Sequence, residues 1–180
     1  MGEQVILAGF GGQGMLLAGQ LLAYAGLMEN KNVSWLPSYG PEMRGGTANC
    51  CVIVSDEEVG SPIVTEADTV IVMNRPSLDK YESFLKKGGL LIINSSLIDK
   101  KATRDDIEVL YVPANELAEK AGTVKAANMI VLGAYLEKAH VVQNSNVIKA
   151  LEKIMGEGKR KLIPLNEKAI EMGAESAKQI

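Results

Sequence analysis

The chain has 180 residues, of which 47% are hydrophobic and 23% are charged, and its formal net charge is −3. This length predicts a single domain, residues 1–180, with a buried core of its own. The negative charge excludes a general nucleic-acid-binding protein, which would carry a basic face. The first residues lack the positive region of a secretory signal, and no apolar run reaches the length of a membrane span. We therefore expect a cytoplasmic protein.

Strands and helices alternate along the chain in the manner of a doubly wound sheet. Strands are predicted at residues 5–8, 33–36, 48–54, 69–73, 90–93 and 107–112. Helices are predicted at residues 14–28, 76–86, 114–121, 124–139, 146–155 and from 166 onward. The pattern predicts a three-layer α/β/α, Rossmann-like fold with a mostly parallel sheet, followed by C-terminal helices from about residue 114.

The two cysteines of the sequence, Cys50 and Cys51, are adjacent. Adjacent cysteines fit neither a disulfide framework nor the spacing of a metal or cluster site. Both fall in a predicted strand, where successive side chains face opposite sides of the sheet. We therefore interpret them as buried structural thiols and expect this chain to hold no metal or iron–sulfur cluster of its own.

The most informative stretch joins the first strand to the first helix and reads VILAGFGGQGMLLAGQLL from Val5 to Leu22. Its glycines satisfy the G-x-G-x-x-G spacing between a strand and a helix. Glycine permits positive φ and lets a bound group approach the main chain, and the following helix offers free N–H donors and the positive end of its dipole. The stretch therefore predicts an anion site. Its candidate cofactor-binding residues are Gly9, Gly11, Gly12, Gln13 and Gly14.

Two other interpretations of this glycine loop stay open. The glycines can serve only to permit a tight turn with close packing of the helix on the sheet. A dinucleotide site would also need an acidic residue about twenty positions further on, at the end of the second strand. That strand ends in Pro37, Ser38 and Tyr39, whereas Glu29 comes too early and Glu42 lies in the following loop. NAD is therefore not the anion that the sequence favours.

A second loop, predicted from Pro37 to Thr47, follows the second strand. Its Arg44 can clamp a phosphate or a carboxylate through two hydrogen bonds. The alternative is an exposed ion pair with Glu42, which would contribute at most about 1 kcal/mol. Ligands of open α/β sheets sit beyond the carboxyl ends of the strands, where later strands also place Asn74–Arg75 and Asn94–Ser96, so both loops predict one shared site. Its candidate residues in the second loop are Ser38, Tyr39, Glu42, Arg44, Gly45 and Gly46.

The sequence offers no catalytic set of its own. The single histidine, His140, follows the predicted helix 124–139 and is interpreted as a helix-end residue. We find no Ser–His–Asp set and no paired general acid and base. The helix at 124–139 is apolar nearly all round, which predicts burial either within the domain or against a partner. A domain with an anion loop and no chemistry of its own indicates one component of a larger enzyme.

Four segments carry a resemblance to a known family. They are GFGGQG at Gly9–Gly14, SYGPEMRGGTANC at Ser38–Cys50, SPIV at Ser61–Val64 and NMIVLGA at Asn128–Ala134. Together they resemble the gamma subunit of the 2-oxoacid:ferredoxin oxidoreductases, and the chain is most similar to the separate gamma subunit of the 2-oxoglutarate enzymes. The resemblance runs from Val5 to about Ala139.

The resemblance implies a subunit of a complex that oxidatively decarboxylates a 2-oxoacid, with 2-oxoglutarate as the favoured one, to acyl-coenzyme A with electrons passed to ferredoxin. It implies alpha, beta and ferredoxin-like delta subunits, which would hold the thiamine diphosphate and the iron–sulfur clusters. The gamma chain would not be catalytic alone. It would help to form the active site and bind the phosphates of coenzyme A or thiamine diphosphate through the two loops. In isolation, its exposed partner surface would favour a homodimer.

Two functions from other classes remain open alternatives. One is a stand-alone Rossmann-like nucleotide-binding module or reductase, which would bind NAD or FAD tightly without partners. The other is a purely structural scaffold, which would bind no ligand alone or in a complex.

Overall fold

The computed structural model describes residues 2–39 and 46–180, and within them the chain forms one six-stranded sheet. The strands are β1 (Gly2–Phe10), β2 (Asn32–Tyr39), β3 (Thr47–Ser55), β4 (Ala67–Val72), β5 (Leu85–Asn94) and β6 (Glu108–Val112). Their order across the sheet is β2-β3-β1-β4-β5-β6. β4 runs parallel to β1, β5 to β4 and β6 to β5, whereas β3 is antiparallel to both of its neighbours. The carboxyl ends of β1, β2, β4, β5 and β6 therefore lie at the same edge of the sheet.

The described part of the chain contains six α-helices, which pack on this sheet or on one another. They are α1 (Met15–Met28), α2 (Arg75–Tyr81), α3 (Ala114–Ala121), α4 (Ala127–Ala139), α5 (Asn144–Ile154) and α6 (Ile163–Lys178). Short 3-10 turns at Glu82–Phe84, Val124–Ala126 and Glu157–Leu162 join or extend them. The predicted three-layer α/β/α fold with a mostly parallel sheet is confirmed.

The two faces of the sheet are covered unequally. In β1, the side chains of Val5 and Leu7 belong to the larger core. This core also contains residues of α1, α3, α4, α5 and α6. Ile6 and Ala8 point into a smaller core, which contains Leu78 of α2. This alternation follows from the two-residue period of a strand that is buried on both faces.

The second predicted loop is shorter than the sequence indicates. Pro37 to Tyr39 continue β2 and pair with β3 in a register that sets Ser38 opposite Asn49 and Tyr39 opposite Ala48. β2 is an edge strand, and one side of its backbone forms no hydrogen bonds with another strand. Pro37 lacks an N–H donor, which an edge strand tolerates, so it does not end β2. The prediction of a loop from Pro37 was therefore wrong.

The boundary between α2 and β5 also differs from the prediction. α2 ends at Tyr81, although the sequence predicts a helix as far as residue 86, and Gly88 and Gly89 lie within β5 rather than between the helix and the strand. Gly88 has φ of 77° and its N–H donates to the carbonyl oxygen of Asp106 at 2.8 Å. The pairing of β5 with β4 shifts register between Leu85 and Leu90, so these glycines lie at an irregularity within the strand, where glycine often occurs.

The apolar helix α4 is buried within the domain. Its residues from Ala127 to Leu136 are all buried, and it packs closely on α6. A Cβ at Gly133 would lie 2.9 Å from Ile170 Cα, and one at Gly173 would lie 3.0 Å from Ile130 Cα. The two glycines therefore let the helix backbones approach each other, and burial within the domain is the one of the two predicted alternatives that the structure shows. His140 caps α4 in the left-handed conformation, as a helix-end residue.

We expect Gly133→Ala to destabilise the chain by about 2 kcal/mol because the methyl group would overlap backbone, which cannot change rotamer. The clash outweighs the gain of about 1 kcal/mol that alanine brings to a helix interior. Urea unfolding measures the difference. Gly60→Ala is the matched control, since a Cβ there meets nothing within 4 Å. Equal stability of Gly133→Ala and the wild-type chain would contradict the close packing of α4 on α6.

Cys50 and Cys51 face opposite sides of the sheet, as predicted. Cys50 is fully buried in the larger core, and its Sγ lies 3.5 Å from the carbonyl oxygen of Met15. Burial raises the pKa of the Cys50 thiol from its ordinary value of 9.0 to about 12. Cys51 is only partly buried, and burial also raises the pKa of its thiol. At neutral pH both are therefore thiols rather than nucleophilic thiolates.

In a Cys51→Ser variant we expect Cys50 to resist a disulfide reagent at pH 8 until the chain is unfolded by urea. The same shift makes the free energy of unfolding fall as the pH rises above 9, because the unfolded thiol ionises there whereas the folded thiol keeps its proton to about pH 12. Thiol titration with and without urea measures the first effect, and urea unfolding at several pH values measures the second. Rapid labelling of the folded variant would show that Cys50 is accessible.

Candidate functional site: two loops at the carboxyl edge of the sheet

The glycine loop leaves β1 at the carboxyl edge and turns into α1. Gly12 and Gly14 have φ of 93° and 76°, which side-chain-bearing residues rarely adopt. Gly14 is the residue before α1, which begins without a side-chain cap and without an acidic residue in its first turn. The first N–H groups of α1 have no intrahelical acceptor, and the first turn of the helix carries no acidic side chain that would offset the positive end of its dipole.

Gln13 stabilises the glycine loop through three hydrogen bonds. Its Oε1 accepts the N–H of Phe10 at 2.6 Å, its N–H donates to the carbonyl oxygen of Phe10 at 3.1 Å, and its Nε2 donates to the carbonyl oxygen of Met73 at 3.4 Å. A Cβ at Gly9 would lie 2.6 Å from the same Oε1, so Gly9 leaves room for this side chain. The structure therefore gives Gln13 and Gly9 internal roles, and their contact with a cofactor stays a prediction.

A main-chain hydrogen bond joins the two predicted loops. The N–H of Gly11 donates to the carbonyl oxygen of Gly46 at 2.8 Å. Gly46 directly precedes β3, which lies between β1 and β2 in the sheet. The antiparallel pairing of β3 thus returns the chain from the end of β2 to the end of β1. The expected convergence of the two loops is present on the residues that the structure describes.

A cavity with a volume of about 320 Å³ lies beside this junction, and we call it the loop cavity. Its lining is largely apolar, and none of the described residues that line it carries a charge. Four of the predicted site residues line this cavity: Gly11, Gly12, Gly14 and Tyr39. Tyr39 is 55% exposed. The described lining residues are Phe10, Gly11, Gly12, Gly14, Met15, Leu16, Leu17, Tyr39, Thr47 and Ala48.

The remaining predicted site residues fall into two groups. Ser38 is exposed at the end of β2 and does not line the loop cavity, whereas Gly46 contributes the carbonyl group that binds Gly11. Glu42, Arg44 and Gly45 lie outside the described residues.

Other polar residues of the carboxyl edge cap helices. Asn74 Oδ1 accepts the N–H of Ser77 at the start of α2. Asn94 Oδ1 accepts the N–H groups of Ser96 and Ala114, and its Nδ2 donates to Asn115 Oδ1 at 2.9 Å. The Oδ1 atoms of both asparagines thus accept backbone N–H groups at the starts of α2 and α3, which is a structural function. Asn74 Nδ2 is buried and has no hydrogen-bond partner among the described residues.

Sequence reasoning missed Asn128 and the apolar side of the site. Asn128, on α4, is buried, and its Nδ2 donates to the carbonyl oxygen of Gly14 at 3.2 Å. It ties the glycine loop to a helix more than a hundred residues away, and the motif NMIVLGA that contains it was the available signal. Leu16 and Leu17 turn toward the loop cavity from the first turn of α1, and their position in an apolar helix gives no sign of this.

Residues 2–39 and 46–180 contain neither a metal-binding cluster nor a membrane-spanning helix. No group of three or more His, Cys, Asp or Glu side chains in these ranges is placed to hold a metal ion. None of the helices there is both long and apolar enough to cross a bilayer.

Curated relatives resemble most of the chain. The ketoisovalerate oxidoreductase subunit VorA of Methanothermobacter thermautotrophicus is 38% identical over 176 residues, which are 98% of this chain but 36% of that protein. The chain thus spans about a third of the length of this relative. The 2-oxoglutarate synthase subunit KorC of Methanocaldococcus jannaschii is 33% identical over 154 residues, which are 84% of this chain and 82% of that subunit.

Solved structures share the fold. The gamma subunit of a keto/oxoacid ferredoxin oxidoreductase from Geobacter sulfurreducens has a TM-score of 0.84, 30% sequence identity and 99% coverage of both chains. A 2-oxoglutarate:ferredoxin oxidoreductase from Magnetococcus marinus has a TM-score of 0.89 over 99% of this chain and 31% of that chain, at 19% identity. The family described as pyruvate ferredoxin/flavodoxin oxidoreductase matches residues 4–176. The chain therefore belongs to the pyruvate ferredoxin/flavodoxin oxidoreductase family.

Proposed function

We propose that the chain is the gamma subunit of a 2-oxoacid:ferredoxin oxidoreductase. The Geobacter gamma subunit supports this role because it matches 99% of the chain with 99% of its own length. The alpha, beta and delta subunits would supply the thiamine diphosphate, the iron–sulfur clusters and the electron path to ferredoxin. The greater length of the VorA relative supports such partners, because the region matching this chain is joined there to further sequence.

The oxoacid of the complex is, in this proposal, 2-oxoglutarate. Support comes from the KorC subunit, whose length this chain covers to 82%. Ketoisovalerate is the second candidate, because the VorA relative has the higher identity, 38%. The chemical difference between them is a second carboxylate in 2-oxoglutarate and a branched apolar group in ketoisovalerate.

A complex reconstituted from this chain and its native partners should have a kcat/KM for 2-oxoglutarate at least about tenfold above that for ketoisovalerate, a difference of about 1.4 kcal/mol in transition-state binding. Reduction of ferredoxin in the presence of coenzyme A measures both rates. The reverse preference would remove 2-oxoglutarate while leaving the subunit assignment in place. Turnover with neither oxoacid would remove both candidates.

At the carboxyl edge, the two loops are proposed to bind coenzyme A. The observation that carries this proposal is the hydrogen bond from Gly11 to Gly46, which joins the loops beside a cavity at the amino end of α1. Gly12 is exposed, and no described residue lies within 4 Å of the position of its missing Cβ, so a ligand can approach the main chain there without contacting them. The Magnetococcus protein was solved with coenzyme A and succinyl-coenzyme A bound, which is consistent with this class of ligand. Arg44 would pair with a phosphate of the same molecule.

We expect Gly12→Ala to raise the Kd for coenzyme A about tenfold, which corresponds to about 1.4 kcal/mol, because a methyl group would stand where the ligand approaches the main chain. Isothermal titration of the 180-residue chain measures the affinity. Gly88→Ala is the matched control, since Gly88 also has positive φ and open space but lies at the opposite edge of the sheet. Both variants carry the backbone strain of alanine at positive φ, and only Gly12→Ala should lose affinity.

Equal losses of affinity in the two glycine variants would show that strain rather than contact is responsible. Tight binding of NAD or FAD, with none of coenzyme A, would instead support the stand-alone nucleotide-binding module. The end of β2 argues against that outcome, because Ser38 and Tyr39 stand where a dinucleotide site has an acidic residue.

A further inference from the structure

The outer side of α1 is mostly apolar. The helix packs its inner side into the larger core, and none of its 14 residues is charged. Its outer side bears Gln20, Tyr24, Leu27 and Met28, which are spaced as neighbours on one face of a helix, and we call these four residues the α1 stripe. Tyr24 is 40% exposed and Leu27 is 53% exposed. The α1 stripe thus brings apolar side chains to the surface without a charged residue among them.

This composition is unusual for a helix that covers a core. Such a helix normally carries charged residues on its outer side. α6 follows this rule, because its exposed positions include Lys168, Glu171, Glu175 and Lys178. An exposed apolar face on a helix without charges is instead typical of a surface that binds another protein. The α1 stripe therefore has the composition of an interface.

A cleft with positive charge continues the α1 stripe at its carboxyl end. Met28 lines this cleft together with Lys149 and Lys153 of α5 and Arg160 of the following 3-10 turn, and we call it the basic cleft. Its volume is about 720 Å³. None of the three cations forms an ion pair within residues 2–39 and 46–180.

Positive charge also dominates the segment that forms the basic cleft. Two carboxylates, those of Glu152 and Glu157, line the cleft beside the cations. Residues 149–161 as a whole carry five cations and these two carboxylates, which is a net charge of +3 in a chain whose total is −3. The basic cleft therefore offers cations that acidic groups of a partner can pair.

We infer that the α1 stripe and the basic cleft together dock a second subunit of the 2-oxoacid:ferredoxin oxidoreductase, which covers the stripe with apolar side chains and places carboxylates in the cleft. This inference rests on the function proposed above. A specific interface buries about 1,000 Å² or more, which exceeds what one helix of about 21 Å exposes, so the stripe and the cleft belong to one contact. An apolar centre with a charged rim is the usual anatomy of such a contact.

The relatives indicate which subunit occupies this surface. The region of VorA that matches this chain is 36% of that protein, so most of VorA is further sequence. In the Magnetococcus protein, the shared fold is 31% of its chain. A domain that is joined to further protein has a permanent neighbour, and permanent interfaces are more apolar than transient ones. The inferred occupant is therefore the subunit whose sequence corresponds to the remainder of VorA.

Charge argues against a second copy of this chain as the occupant. A two-fold contact centred on Leu27, the most exposed residue of the α1 stripe, would bring two basic clefts close together. Residues 149–161 would then contribute a net charge of +3 from each copy, and like charges across an interface oppose association. An acidic surface on a different subunit meets no such repulsion.

The pair Leu27→Lys and Leu97→Lys tests the α1 stripe. The purified wild-type chain should bind the purified native subunit that corresponds to the remainder of VorA. Leu27→Lys should raise the Kd at least about tenfold, because the lysine would be buried among apolar groups. Leu97→Lys is the matched control and should leave the Kd unchanged, since Leu97 is 50% exposed, follows β5 and lies outside the stripe and the cleft. Isothermal titration measures the Kd, and urea unfolding verifies that both variants are folded.

The results that would contradict the inference are distinct from the one that would contradict the proposed function. An unchanged Kd in folded Leu27→Lys, or an equal loss of affinity in Leu97→Lys, would overturn the placement of the interface and leave the subunit assignment intact. A dimeric wild-type chain that Leu27→Lys converts to a monomer in native mass spectrometry would overturn the choice of partner in favour of a second copy. Failure of the wild-type chain to bind any native subunit of the complex would overturn the proposed function itself.

Lys153→Glu tests the basic cleft in the same titration. Because the cleft would hold carboxylates of the partner, this change should raise the Kd at least about tenfold at low salt and make the Kd depend less steeply on salt concentration. Lys120→Glu is the matched control, since Lys120 is exposed on α3 and lies outside the cleft, and neither quantity should change. Equal salt dependence of Lys153→Glu and the wild-type chain would overturn the pairing of carboxylates with the cleft.

Discussion

One main-chain hydrogen bond, from the N–H of Gly11 to the carbonyl oxygen of Gly46, brings the two glycine-bearing loops together at one edge of the sheet. The bond is possible because β3 runs antiparallel between β1 and β2, so the chain that leaves β2 returns next to the end of β1. The site therefore depends on a departure from the all-parallel arrangement of a doubly wound sheet, in which a helical crossover would normally follow the second strand.

The rest of the domain supplies a rigid base for this junction. The larger core places α1 behind the glycine loop, and α4 reaches the loop through the contact of Asn128 with Gly14. α4 is itself fixed by the glycine-mediated packing on α6. The C-terminal helices thus support the site without contributing a charged residue to the described lining of the loop cavity. Such a domain would suit the proposed role of positioning a ligand for chemistry that other subunits perform.

Much of the fold could be predicted from the sequence, because short apolar runs such as 69–73 and a G-x-G-x-x-G turn have few other structural solutions. Local patterns could not place Pro37 in a strand. A proline is tolerated in an edge strand, and only the order of strands in the assembled sheet shows that β2 is at the edge. They could not give the inner position of Gln13 or the partner of Asn128, since both depend on contacts distant in sequence. The apolar character of the loop cavity was missed for a related reason. Leu16 and Leu17 occur in a helix that is apolar on most sides, so no periodicity separates the residues of the core from those that line the cavity.

The central claim is that the two joined loops form a ligand site for the coenzyme of a 2-oxoacid oxidoreductase. A crystal structure of the chain with coenzyme A bound tests it most directly. The account predicts electron density for the coenzyme between the glycine loop and the start of β3, in contact with Gly12 and Thr47. Density for the coenzyme at any other surface, with the loop cavity filled only by water, would contradict it.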